Sequence, residues 1–314
     1  MAPAAHTPQG AVPTRPDIPG PIPPPVHPRT RACRIQDVVA ISEEAGRAIM
    51  EVYRTPKEEW GLEHKSDESP VTLADLRAHD VIVAGLARIA PTIPVLSEEG
   101  GSPPAYGVRK DWESFFIVDP MDGTKDFIAR TGEFTVNIGV VSRGPSGAYT
   151  PVAGVVHVPA QDTTWWAAKG QGAFMRDAEG GTQRIAVADR APDAPGLTVV
   201  SSANHTSAEA GEFIGALFRD PKLEQVGSSL KLLLVACGRA DCYPRLAGTC
   251  EWDTAASDAI VREAGGRVVQ AGGPSNWREE VRELRDVVYN KEDVLNPWFV
   301  VATPSLCRAI AETF

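Results

Sequence analysis

The chain has 314 residues, 43% of them apolar and 23% charged, which is enough for a substantial core and excludes collagen-like, coiled-coil and wholly disordered classes. Its 41 acidic and 31 basic side chains give a formal net charge of −10, which argues against a partner that is a nucleic-acid polymer, because phosphate backbones attract basic surfaces. No run approaches the roughly 18 apolar residues of a membrane span, so an integral membrane protein is excluded as well.

Residues 1–34 are expected to be a disordered, proline-rich tail. The first 30 hold ten prolines and a single acid, Asp17, and cannot bury enough apolar surface to offset the entropy of ordering. They lack the apolar region of a secretory signal. Their shortage of acids, with Arg15 and Arg29, leaves an organelle transit peptide (plastid or mitochondrion) as the alternative to a plain tail. A helix is expected from Ile35, where Val38, Val39, Ser42, Ala45, Ile49 and Val52 recur at three- and four-residue steps. Thr72 can cap a second helix that runs to Ile89 and is stopped by Pro91. Strands are expected at Ile93–Leu96, Ser114–Val118, Glu133–Arg143, Val152–Val158 and Thr163–Ala168; in the third, Phe134, Val136, Ile138 and Val140 alternate with smaller or polar residues.

The stretch from Ala178 to Pro195 reads as connecting loops. It suggests a division into an α+β metal-binding half, 35–195, and an α/β substrate-binding half, 196–314. The second half is expected to hold strands at Leu197–Ser202, Val287–Tyr289 and Phe299–Ala302, and helices at Ala208–Phe218, Ser228–Cys237, Thr254–Ala264 and from Ser305. The five cysteines are an odd count. Cys237, Cys242 and Cys250 lack zinc-site spacing, so reduced thiols and a cytoplasmic setting are the expectation.

The chemistry-bearing residues are carboxylates at strand ends and helix starts: Asp75, Glu98-Glu99, Asp119-Pro120-Met121-Asp122-Gly123-Thr124 and Trp252-Asp253. Hard cations such as Mg²⁺ take oxygen ligands of this kind. In the central motif the proline blocks strand continuation and the glycine permits a tight turn, so both aspartates and the Met121 carbonyl can converge. The N–H groups of Gly123 and Thr124 would open an anion-binding turn. Each element alone also has a plain structural reading. Asp75 fits a capping box with Thr72, Glu98-Glu99 is a solvated pair, and Asp253 is an N-cap before Thr254.

Taken in order, with Gly265-Gly266 after them, these motifs resemble the signature of the lithium-sensitive, Mg²⁺-dependent phosphomonoesterases of the inositol monophosphatase superfamily. The likeness runs from about residue 35 to 314. Met121 departs from it, standing where the family has Ile or Leu. The resemblance implies a layered αβαβα sandwich of the sugar-phosphatase type. It implies Glu98, Asp119, the Met121 carbonyl, Asp122 and Asp253 as ligands of two or three Mg²⁺ ions, and Asp75 with Thr124 as the pair that activates the attacking water. Two metals can activate water and stabilise a leaving oxygen without a covalent nucleophile.

Gly227-Ser228-Ser229-Leu230-Lys231, Tyr243-Pro244-Arg245, Gly132-Glu133-Phe134-Thr135-Val136-Asn137 and Leu295-Asn296-Pro297-Trp298-Phe299 resemble the 3′(2′),5′-bisphosphate nucleotidase branch of that superfamily. A second phosphate, remote from the metals, needs its own hydroxyl and cationic donors. Ser228, Ser229, Lys231 and Arg245 are the candidates, joined by Gly123, Thr124, Asp253 and His205 in a substrate-binding set. His205 stands in Ser202-Ala203-Asn204-His205, which lacks the arginine of the branch's Ser-Arg-Ser-His. The implied reaction hydrolyses the 3′-phosphate of 3′-phosphoadenosine 5′-phosphate to AMP and phosphate, as part of sulfur metabolism, with the phosphosulfate analogue as a second substrate. The alternatives are an inositol or sugar-bisphosphate phosphatase and a non-catalytic nucleotide-binding protein. The oligomeric state is left open.

Overall fold

The computed structural model describes residues 33–65, 69–202 and 207–314; His205 and its neighbours Ala203, Asn204 and Thr206 lie outside the described residues. Residues 33–314 form one compact unit. The chain enters α1 (Ile35–Tyr53), whose stripe of Val38, Val39, Ile41, Ala45, Ile49 and Val52 is buried. A two-stranded hairpin, β1 (Glu63–His64) and β2 (Pro70–Val71), leads to α2 (Leu73–Ile89). The two helices cross where Gly85 leaves room for Ile41: a Cβ there would stand 2.8 Å from Ile41 Cγ1.

A seven-stranded sheet follows, in the order β3-β4-β5-β6-β7-β8-β9. Its strands are β3 (Val95–Ser97), β4 (Ser114–Asp122), β5 (Thr135–Arg143), β6 (Tyr149–Val158), β7 (Thr163–Ala168), β8 (Gly172–Arg176) and β9 (Thr182–Ile185). Two short helices, α3 (Tyr106–Arg109) and α4 (Thr124–Ala129), flank β4. β3 runs parallel to β4 and the other pairs are antiparallel. The apolar run of β4 is continuous because both faces are covered. Phe116 and Val118 pack into the core under α1 and α2, while Phe115 and Ile117 pack into a second core on the opposite face.

The remaining chain builds a five-stranded sheet, β11-β10-β12-β14-β13. The elements are β10 (Thr198–Ser202), α5 (Ala208–Leu217), β11 (Lys222–Val226), α6 (Leu230–Ala236), β12 (Cys242–Arg245), α7 (Glu251–Glu263), β13 (Arg267–Gln270), α8 (Trp277–Arg282), β14 (Phe299–Ala302) and α9 (Pro304–Thr313). Helices α6 and α7 lie between the two sheets, and α5, α8 and α9 cover the far face of the smaller one around Phe213, Trp277 and Ile310. The layers are therefore α1/α2, large sheet, α6/α7, small sheet, α5/α8/α9, which is the αβαβα sandwich expected. Helix α7 comes unusually close to β5 and β6. A Cβ on Gly154 would lie 2.1 Å from the Ala256 carbonyl oxygen, and Ala255 and Ala256 are the small residues that match it.

The structure corrects two expectations. The stretch read as loops from Ala178 to Pro195 contains β9, an edge strand returned from β8 by the Gly180-Gly181 turn, where Asp177 accepts from the Gly181 N–H. Its Thr182, Gln183 and Arg184 are exposed, so it shows no apolar alternation. Val287–Tyr289 is not a strand; Asp286 and Tyr289 make isolated bridges, and the left-handed residues Leu284 (φ 51°) and Asn290 (φ 60°) bend the chain on either side.

Candidate active site

Asp119 and Asp122 are three apart, and in a regular strand they would point to opposite faces. β4 is not regular there. Asp119 pairs with Asn137 and Asp122 with Thr135, so three steps on β4 match two on β5. The extra residue of this bulge, beside a proline that cannot donate to the ladder, turns both aspartates to the same side. Gly123 then takes φ 94°, with the Glu133 carbonyl 3.0 Å from where a Cβ would stand, and Thr124 begins α4. The Met121 N–H donates to Asp119 Oδ1 (3.0 Å), while its side chain is buried in the core under α1 and α2.

Asp253 arrives from the other half of the chain. It is the third residue of α7 rather than the N-cap, and its Oδ2 accepts from the Cys250 N–H at 2.8 Å. The structure brings one oxygen from each of Glu98, Asp119 and Asp253 within 4.8 Å of the others. Burial pushes the Asp119 carboxyl well up, helped by the charges of Glu98, Asp122 and Asp253. Asp253 is raised well for the same first reason, with Asp122 next. Asp122 is raised by burial against the pull of Lys231. Such crowding of buried carboxylates calls for positive charge.

Both carboxylate oxygens of Asp75 are engaged. Oδ2 accepts from the Thr72 N–H and hydroxyl (2.7 Å each), the capping box, while Oδ1 accepts from Thr124 Oγ1 at 3.1 Å. Burial pushes its carboxyl up to about 6, with Glu99 adding to this and the hydrogen bonds from Thr72 and Thr124 opposing it.

A cavity of about 240 Å³ lies over these groups, lined among others by Glu98, Asp122, Thr124, Ser228, Lys231 and Arg245. Gly123, Ser229 and Asp253 also line it; Asp75, Asp119 and Met121 sit behind its wall. Lys231 is buried and donates to the carbonyls of Val226 (3.2 Å) and Ser228 (2.6 Å). Burial lowers its ammonium to about 8, with Arg245 contributing and Asp122 opposing. Arg245 donates through Nη2 to the Gly248 carbonyl, while its Nε and the Ser228 hydroxyl are buried with no partner among the described residues. Ser228 is held at φ 43°, a left-handed conformation that costs a non-glycine residue energy. Ser229 is differently engaged. Its Oγ lies 2.9 Å from Asp122 Oδ2 and 2.8 Å from the Asp253 carbonyl, and it accepts from Asn137 Nδ2 at 2.9 Å.

Two participants were missed from sequence. Lys65, beside β1, places Nζ 2.8 Å from Glu98 and 2.5 Å from Glu99. Burial alone would lower its pKa, but the hydrogen bonds and charges of Glu98 and Glu99 outweigh that and raise it. A two-residue strand has no periodicity to reveal it. Asn137 was read as a polar residue of an alternating strand and as the end of the Gly132-to-Asn137 motif, with no role of its own.

The inositol monophosphatase family model matches residues 32–308. The 3′(2′),5′-bisphosphate nucleotidase CysQ of Salmonella typhimurium is 40% identical over 267 residues, 85% of this chain and 98% of that protein. The one of Buchnera aphidicola is 35% identical over 244 residues, 77% of this chain and 87% of that protein. The crystal structure of CysQ from Bacteroides thetaiotaomicron, a bacterial member of the inositol monophosphatase family, aligns with a TM-score of 0.71 at 39% identity, covering 85% of this chain and 96% of that one.

Proposed function

The chain belongs to the inositol monophosphatase family, and on that premise we propose that it is a 3′(2′),5′-bisphosphate nucleotidase, which removes the 3′-phosphate of 3′-phosphoadenosine 5′-phosphate to give AMP and phosphate. The similarity to CysQ proteins over most of the chain supports this reading. The observation that carries it within this molecule is a group of donors in the same cavity as the carboxylates. Lys231 has three ammonium protons, and its two acceptors among the described residues, the Val226 and Ser228 carbonyls, leave one for another group; Ser228 Oγ and Arg245 Nε add two buried donors without partners among the described residues. On this reading they receive the phosphate that does not react.

The all-oxygen donor set of Glu98, Asp119, the Met121 carbonyl, Asp122 and Asp253 fits hard divalent cations, Mg²⁺ above all, and the raised carboxyls of the three aspartates support that demand for charge. Held there, two or three Mg²⁺ ions would supply the charge that neutralises the phosphate and acidify a water. On this reading Thr124 and Asp75 orient the attacking water, and Asp75 takes its proton, a role that suits a carboxyl near 6. A water–phosphorus bond forms, the bond from phosphorus to the 3′-oxygen breaks, and that oxygen takes a proton from solvent while Asp75 later returns its own to solvent. The N–H groups of Gly123 and Thr124 steady the phosphate, and Ser229 acts by holding Asp122. Residues 35–195 then form the cation-binding half and 196–314 the substrate-binding half, with Asp253 contributed across the boundary. Among the described residues the five cysteines form no disulfide, which supports a reducing, cytoplasmic setting.

The test is substrate-dependent loss. Lys231→Ala should lower kcat/KM for 3′-phosphoadenosine 5′-phosphate about ten- to a hundredfold more than for a monophosphate ester, because a charge-assisted hydrogen bond contributes roughly 1.5–3 kcal/mol. Equal losses on both substrates would remove Lys231 from recognition of the second phosphate.

A further inference from the structure

Glu133 stands just before β5, and its side chain reaches the loop between β11 and α6. Its Oε2 accepts from the Gly227 N–H at 2.7 Å, a bond between residues 94 apart in sequence. An N–H held by a carboxylate makes a charge-assisted bond, about twice as strong as one to a neutral acceptor. Gly227 sits close between two side chains: a Cβ there would lie 2.8 Å from Asp126 Oδ2 and 3.0 Å from Glu133 Cβ. The next residue is Ser228, at φ 43°, a conformation that persists only where the surroundings hold it. Lys231 ties this loop from within, through the Val226 and Ser228 carbonyls, and Ser229 ties it to Asn137 and Asp122. Glu133 adds a bond on the N-terminal side of the strained residue.

The main chain of Glu133 meets the other part of the site. Its carbonyl oxygen is 3.0 Å from where a Cβ on Gly123 would stand, and Ser228 Cβ is 3.3 Å from the same point. One residue thus packs its backbone against the turn of Gly123 and Thr124 and grips, with its side chain, the loop that carries Ser228 and Lys231. Glu133 is not among the residues that line the cavity, whereas Gly123, Gly227, Ser228 and Lys231 are, so it acts on an anion through the groups it holds. We propose, on the nucleotidase reading of the substrate, that Glu133 is a positioning residue for specificity: by holding Gly227 it fixes the separation between the turn for the reacting phosphate and the loop for the second one.

Three variants of the full chain separate the bond from the charge. Glu133→Gln keeps an oxygen that can accept from Gly227 and loses the charge. Glu133→Asp keeps the charge on a side chain one methylene shorter, and Glu133→Ala loses both. The assay in Mg²⁺ compares 3′-phosphoadenosine 5′-phosphate with adenosine 3′-monophosphate, which has the same reacting ester and no second phosphate. In Glu133→Asp and Glu133→Ala, KM for the bisphosphate should rise about tenfold more than KM for the monophosphate, while Glu133→Gln stays within about threefold of wild type on both. Hydrogen exchange of the Gly227 amide should quicken in Glu133→Asp and Glu133→Ala and not in Glu133→Gln. If Glu133→Ala does not fold, the other two variants carry the test. Equal losses on the two substrates, a loss in Glu133→Gln that Glu133→Asp escapes, or unchanged Gly227 exchange in Glu133→Asp overturns the proposal. A wild type with no preference for the bisphosphate refutes the nucleotidase reading before any variant is made and leaves no second phosphate for Glu133 to serve; a failure particular to Glu133 is read in the variants alone.

Discussion

Replacing Ser229 by alanine removes one oxygen from the point where both parts of the site meet. Asn137 Nδ2 then loses its acceptor and Asp122 Oδ2 its hydroxyl neighbour, both in a buried setting. Leaving a buried polar group unsatisfied costs about 1–3 kcal/mol. If Asp122 holds a cation, that cost appears as weaker cation binding, and groups that orient metal ligands typically matter by about 10–100-fold in affinity. The two estimates agree, since tenfold corresponds to about 1.4 kcal/mol. Calorimetric titration of Mg²⁺ into wild type and Ser229→Ala should therefore show a loss of at least about tenfold, with KM for substrate little changed once cation saturates. Asn137→Ala should reproduce part of the loss, and the double variant should fall short of additivity because both act on one chain of contacts. Cation affinity within twofold of wild type, together with a large rise in KM, would refute the reasoning and make Ser229 a substrate contact.

Two further outcomes follow from the buried carboxyls. If Asp75 is the base, kcat should fall as pH drops through about 6, or lower where bound cations stabilise the carboxylate, and Asp75→Asn should lose that limb with about 10²–10⁴-fold of kcat; a flat wild-type profile between pH 4 and 7 contradicts the assignment. In EDTA the fold should lose stability as pH rises, because Asp75, Asp119, Asp122 and Asp253 have raised carboxyls and the folded chain binds more protons than the unfolded one; for Asp75 the window runs from 3.8 to about 6. Melting temperature should therefore be lower at pH 7 than at pH 5, and Mg²⁺ should restore more at pH 7; the opposite slope would show that the cluster is not the controlling charge.

The elements legible in the sequence were those with a strong local signal. The stripe of α1, the Thr72 cap and the alternation of β5 each rest on a period that burial enforces. Asp119-Pro120-Met121-Asp122-Gly123-Thr124 was legible as a bend because proline and glycine act locally. What the bend achieves was not: the bulge that restores Asp122 to the side of Asp119 exists only in the pairing with β5. Asn137 gains its role from Ser229, 92 residues away. Lys65 sits by a hairpin too short for any period, and β9 is an exposed edge strand with no apolar face. The spacing of Thr72 and Asp75 reads only as a cap, and it was the family resemblance that paired Asp75 with Thr124, because spacing says nothing of the second carboxylate oxygen that accepts from Thr124.

The most direct measurement is phosphate release in Mg²⁺ from 3′-phosphoadenosine 5′-phosphate, inositol 1-phosphate and fructose 1,6-bisphosphate, compared as kcat/KM on the full chain. Donors for a second phosphate at Lys231, Ser228 and Arg245 predict that the nucleoside bisphosphate leads inositol 1-phosphate by at least about ten- to a hundredfold. Fructose 1,6-bisphosphate, with a second phosphate but no base, should fall below it. A preference for inositol 1-phosphate, or equal rates on all three, would contradict the account.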